Sequence, residues 1–232
     1  MRGGGGGAAI PTRVDWQMTA KPDTPIYTPD NEPYLGRESL WRFDEVIVTA
    51  MDVNGRIGPW THGRELSPLQ RAGAELLPHG FSIALSIREL IRQGYLISAE
   101  ILLRPLIERA AVVSYLCETL DALALWESGW PHKSRPPLYK MLATMRGQGN
   151  TRDDEDIAKQ ITDHFNSIIH ADPIGARTQA ITTSNGRPGY TSSKTLRDVE
   201  KCDEICIQAT MYLIILLARA TQIFPEATYQ RT

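Results

Sequence analysis

Two groups of residues have the types and spacing to do chemistry. The first is Glu100, Arg104 and Glu108, three charged residues at intervals of four inside a run that is apolar nearly all round, LISAEILLRPLIERAAVVSYLCETL. On a helix that interval places them in one stripe along one face. Arg109 lies beside the stripe, and Arg88 and Arg92 stand on the preceding segment. Burying a guanidinium is costly unless a carboxylate pairs with it. Two readings of Arg104 therefore stand together. Either it joins Glu100 or Glu108 in an ion-pair network that sets helix register, or it faces a pocket and holds a phosphate or carboxylate through its planar fork. The second group is His164-Phe165-Asn166-Ser167-Ile168-Ile169-His170-Ala171-Asp172. Asn166 and His170 are four apart and share a helical face, Asp172 is placed to orient an imidazole or cap a turn, and His164 borders the same segment. Histidine is the usual general acid or base near neutral pH, while a histidine at a helix end also serves simply as a cap.

Familiar signatures of other chemistries are missing. The chain has no P-loop, GxGxxG, HExxH or GxSxG motif and no zinc-ligand spacing, which argues against ordinary nucleotide hydrolases, zincins and serine hydrolases. No cofactor or metal is expected. The formal net charge of −2 supplies no global field for nucleic acid, so any RNA contact has to be local. Arg177, Arg187, Lys194 and Arg197 are the sparse basic residues available around one loop. Cys117, Cys202 and Cys206 form no CxxC, and Cys202 and Cys206, one turn apart, read as buried thiols in a reducing compartment. The glycine-rich start lacks the apolar core of a signal peptide, and the longest apolar run, Met211–Ala218, is too short to span a bilayer. A soluble, cytoplasmic protein is expected.

The elements that must position these residues are helical. Residues 1–36 read as a flexible or extended arm, with Gly3–Gly7 and Pro11, Pro22, Pro25, Pro29 and Pro33 opposing helix formation. A first helix is expected from Glu38 to about Met51, stopped by Asn54–Gly55 and Gly58–Pro59. Ser67–Pro68 starts a second that runs to about Gln93 before Gly94, with Pro78 expected to kink or split it. The apolar run from Leu96 to about Leu120 is a central buried helix. Shorter helices follow at Asp121–Trp126 and Leu138–Met145, then one from Asp153 to His170. Residues 174–192 read as an exposed loop, and Ser193–Phe224 as a long last helix closed by Pro225. The expectation is an all-α chain, a single bundle of about five to seven helices over residues 37–225, with a tail at 226–232.

The order of a central helix carrying LLRPLIER, a later helix closing in NSIIHADP, and a long final helix resembles the HEPN (higher eukaryotes and prokaryotes nucleotide-binding) superfamily. It is most similar to bacterial and phage branches with an R-P-x-x-E core helix and a terminal H-A-D. The resemblance implies a HEPN-like bundle of microbial defence or toxin–antitoxin type, acting on RNA as a metal-independent endoribonuclease from a symmetric homodimer. It places catalysis on His170, Asn166 and Arg104, with Glu108, Glu100, Asp172 and His164 around them. Where the family's cleavage motif has arginine this chain has Phe165, so Arg104 would supply the charge from the neighbouring helix. The alternative under the same resemblance is a non-catalytic subunit that binds a partner protein or a nucleotide.

Overall fold

A computed structural model describes residues 32–119, 121–131, 134–146, 152–170, 172–173, 181–182, 188–189 and 198–228. The chain is an all-α single bundle. Its helices are α1 (Glu38–Thr61), α2 (Pro68–Arg92), α3 (Leu96–Glu118), α4 (Ala122–Glu127), α5 (Leu138–Arg146), α6 (Arg152–Ile169), α7 (Val199–Ile223) and α8 (Pro225–Thr228). Two short strands, β1 (Ile181–Thr182) and β2 (Pro188–Gly189), pair antiparallel between α6 and α7. The loop expected at 174–192 otherwise lies outside the described residues, as does the arm at 1–31.

Local chemistry accounts for most boundaries. Ser67 caps α2 in a complete capping box with Gln70, and Pro68 occupies the first turn. At the other end Gly94 adopts φ +76, with Gly94 N–H donating to Ile91 O (2.9 Å) and Tyr95 N–H to Leu90 O (2.8 Å). That is the paired closure a left-handed residue after a helix allows. Pro78 sits inside α2 without splitting it. The first helix runs ten residues beyond the expected stop at Met51, through Asn54, Gly55 and Gly58 to Thr61. Burial of Val53 and Ile57 continues the apolar face, which outweighs the weak propensity of those residues. The bundle also reaches past both expected limits. Tyr34 is buried, Glu32 pairs with Arg88 at 2.6 Å, and Ala227 of α8 is buried.

The directions of the helices follow from their contacts. Arg37 and Ser39 at the start of α1 bind Asp203 at the start of α7, and Arg56 near the end of α1 donates to Thr228 O at 3.2 Å. These two helices are therefore parallel. Helix α2 opposes them, since Gly73 lies against Ile223 and Phe224, and Gly80 against Leu216. Helix α3 is parallel to α7 as well, joined by Glu100–Lys201 at one end and Glu118–Arg219 at the other. Parallel neighbours cannot be joined by a tight turn, and α6 returns the chain along α3. The core between these helices holds Phe43, Phe81, Leu103, Leu106, Leu213, Leu216 and Phe224, each contributing roughly 1.5–3 kcal/mol of burial.

Close approach of α2 to α7 depends on Gly80, where an added Cβ would stand 2.5 Å from Leu216 Cδ1. Gly80→Val is expected to lower the free energy of urea unfolding by about 1–3 kcal/mol through overpacking; an unchanged midpoint would show that the helices separate freely here. At the α1–α7 end, the Arg37 guanidinium and then the Ser39 hydroxyl hold the Asp203 carboxyl below the usual carboxylate range. A depressed folded pKa gives stability that is present above the unfolded value and lost as pH falls through the folded one. Asp203→Asn is therefore expected to be less stable than the wild type at neutral pH, with the difference closing below about pH 4, as read by urea unfolding across that range.

Candidate functional site

A polar seam runs where α3, α6 and the start of α7 meet. Its anchor is Glu100, whose side chain is only 7% exposed. Position 100 is turned to α7 by the same periodicity that buries Leu96, Leu103 and Ile107. The carboxylate accepts from Lys201 Nζ, and His164 Nε2 on α6 lies 3.5 Å from Glu100 Oε1. Asp198 caps α7 by accepting from Lys201 N–H at 2.9 Å, which fixes the first turn from which Lys201 reaches Glu100.

One turn further along α3, Arg104 is half-buried and donates from Nη1 to the Thr162 carbonyl of α6 at 3.4 Å. No carboxylate pairs with it among the described residues, whereas Arg37, Arg88, Arg135 and Arg219 each hold one. Burial, and after it the charge of Arg135, holds the Arg104 guanidinium below its ordinary pKa. Its charge is thus poorly compensated, a position that an anion would relieve. Glu108, the third member of the stripe, is taken by Arg135, from the loop ahead of α5. Arg109 has a buried Nε without a hydrogen-bond partner. Arg88 and Arg92 belong elsewhere: Arg88 grips Asp44 (2.5 and 3.1 Å) and Glu32, and Arg92 pairs with Glu89 at 2.5 Å.

The C-terminal end of α6 is differently placed. His170 and Asp172 are exposed and Asn166 is half-buried. His170 N–H donates to Asn166 O (2.9 Å) and Asp172 N–H to Ser167 O (3.0 Å), so both residues close the helix. No hydrogen bond or ion pair joins Arg104 to Asn166 or His170 among the described residues. Eight residues separate Thr162, where Arg104 lands, from His170, a rise of about 12 Å. His164 and His170, six residues apart, stand about 120° apart around the axis, and it is His164 that reaches the stripe on α3. Phe165, at the position where the resemblance calls for arginine, is 2% exposed and packs its ring edge-on to His164 at 5.2 Å. An arginine there would point into the core.

Lys201, Arg135 and Thr162 carry no spacing signal toward the stripe, being 101, 27 and 58 residues from their partners; only packing brings them to it. Cys202 and Cys206 are free and buried, and the contact between them holds the Cys202 thiol down and pushes Cys206 up. Among the described residues no group of three His, Cys, Asp or Glu side chains is placed to hold a metal. Helix α7 is long and apolar enough by length and composition to cross a membrane, and nine of its residues lie in the bundle core.

Set against known proteins, the chain matches no family model, and neither a curated protein nor a solved structure is significantly similar to it.

Removing one member of a buried pair strands the other. Lys201→Met is expected to cost roughly 3 kcal/mol of stability by leaving the Glu100 carboxylate uncompensated. Adding Glu100→Met in the same chain should restore most of that loss. A double variant no more stable than Lys201→Met alone, in matched urea titrations, would deny the pair this role.

Proposed function

We propose that the chain is a HEPN-like helical protein that binds the phosphate of a nucleotide or of RNA at the α3–α6 seam, with Arg104 as the anion anchor. The observation that supports this reading is the state of Arg104: half-buried, desolvated, and without a carboxylate among the described residues. A guanidinium fork offers two parallel donors to a phosphate, and among the described residues Arg104 makes one long contact, to the Thr162 carbonyl. His164, beside Glu100 and half-exposed, stands at the same seam and can donate to a second oxygen of the ligand.

Binding is favoured over cleavage by His170 with Arg104, because no contact links those two side chains and a long stretch of α6 separates them. An imidazole that assists transfer of a 2′-hydroxyl proton has to reach the bound phosphodiester. At this seam the histidine in position to do so is His164, next to a carboxylate that can orient it.

The experiment is fluorescence anisotropy with a labelled RNA oligonucleotide of mixed sequence, competed with a nucleoside triphosphate. Wild type is expected to bind with an affinity that falls as salt rises. Arg104→Gln should bind at least about tenfold more weakly, the loss of one charge-assisted contact, with an unchanged circular dichroism spectrum. Equal binding by wild type and Arg104→Gln would remove the proposed anchor. The same samples, incubated with chelator, report cleavage. Cleavage lost in His164→Ala and kept in His170→Ala would make the seam catalytic, and the reverse would return catalysis to the end of α6.

A further inference from the structure

The two carboxylates of the α3 stripe are held differently. The side chain of Glu100 is 7% exposed and that of its partner Lys201 27%, whereas Glu108 is 24% exposed and its partner Arg135 51%. Lys201 stands on a capped helical turn. Arg135 comes from the loop ahead of α5 and donates from Nη2 to Glu108 Oε1. An ion pair that stays in water is weak, because solvent screens it and two long side chains are ordered to form it. Arg135 is therefore a guanidinium that a stronger anion can take. Its position says which anion. Glu108 is one turn from Arg104 on the same face, with side chains leaving the helix about 5–6 Å apart, so the loop carries a second cation to the edge of the seam. Burial, and then the charge of Arg135, holds the Arg104 guanidinium below its ordinary pKa, as expected of two cations near enough to oppose each other. An anion that touches both relieves that opposition, and Glu108 pairs with Arg135 alone among the described residues.

We infer that the group bound at the seam is a terminal phosphate, a phosphomonoester, held jointly by Arg104 and Arg135, and that Glu108 occupies Arg135 until it arrives. The inference rests on the anion site proposed above and narrows its ligand. A phosphomonoester carries roughly −1.5 to −2 charges near neutral pH and three acceptor oxygens. An internal phosphodiester has a single charge and two unesterified oxygens. Two planar forks match the monoester in both charge and acceptors, whereas a diester is already matched by one of them. The exchange gives up one solvated ion pair and gains charge-assisted hydrogen bonds to a dianion. Glu108, already partly exposed, is left facing water. It opposes the ligand twice, by holding Arg135 and by its own charge. The 5′ phosphate of an RNA end and the phosphate of a free nucleotide present the same group, so either source satisfies the site.

Two pairs of probes test this on the full chain by equilibrium binding. One is an RNA oligonucleotide carrying either a 5′ phosphate or a 5′ hydroxyl. The other is adenosine monophosphate against adenylyl-adenosine, whose one phosphate is an internal diester. Wild type is expected to prefer the terminal phosphate by at least about tenfold in one pair or both. Preference in the RNA pair alone assigns an RNA end, and preference in the second pair assigns a free nucleotide. Arg135→Gln should bind both members of the pair alike. Glu108→Gln should bind the terminal phosphate several-fold more tightly than wild type, a gain that a damaged fold does not produce. No preference in either pair overturns the inference, as does a preference that survives Arg135→Gln or a Glu108→Gln variant that binds no more tightly than wild type. Absence of preference with Arg104→Gln still weakened leaves the Arg104 anchor standing and overturns the terminal-phosphate inference alone. Equal binding of every probe by wild type and Arg104→Gln removes the anchor and this inference together.

Discussion

Glu100 is a carboxylate placed inside a helix-packing interface, and the arrangement around it follows from the need to compensate that charge. An ionised group with 7% of its side chain exposed persists only with a cation and hydrogen-bond donors around it. Lys201 provides the cation from α7, and His164 approaches from α6. Three helices far apart in sequence are thereby held in one register. The second pair, Glu118–Arg219, repeats the same 101-residue offset at the other end of α3 and α7, with Arg219 also donating to Ser114 at 3.1 Å. Two ion pairs with a common offset define a parallel alignment in a way that apolar contacts, which tolerate sliding, do not. The parallel alignment in turn demands a long return, and α6 lies along α3 because the chain must come back before α7 can begin.

The arginines divide by what they face. Arg37, Arg88 and Arg219 tie one helix to another through carboxylates at the edges of the core, where partial solvation keeps the desolvation cost low. Arg104 lies on the same helix as Glu100, one turn away, and has no carboxylate partner among the described residues, while Glu108 on the next turn pairs with Arg135. That contrast is what supports the proposed anion site at the seam, whereas the end of α6 is exposed and closed by its own backbone hydrogen bonds.

Much of this architecture was legible in the residue pattern. The all-round apolar character of 96–118 marked α3 as the central helix, and Ser67–Pro68 with Gly94 bounded α2 at both ends. The stripe Glu100, Arg104, Glu108 was legible as a stripe because helical periodicity is a local property. Helix α1 outruns its local stop signals Asn54, Gly55 and Gly58, since the burial of Val53 and Ile57 that overrides them is tertiary. Likewise Tyr34 and Ala227 lie beyond the limits that composition suggested, held by contacts made at a distance.

What the sequence determined by itself is therefore the set of helices, their caps, and which residues share a face, because each depends on neighbours within a few positions. Only the tertiary structure decided the partners. It gave Glu100 to Lys201 and His164, Glu108 to Arg135, and Arg104 to the carbonyl of Thr162. It also turned Phe165 into the core and left Ile207, Met211 and Ile214 outside it. The reason is that a charge or an apolar group is satisfied by whatever lies nearest in space, and in a bundle with a parallel central pair that neighbour is tens of residues away along the chain.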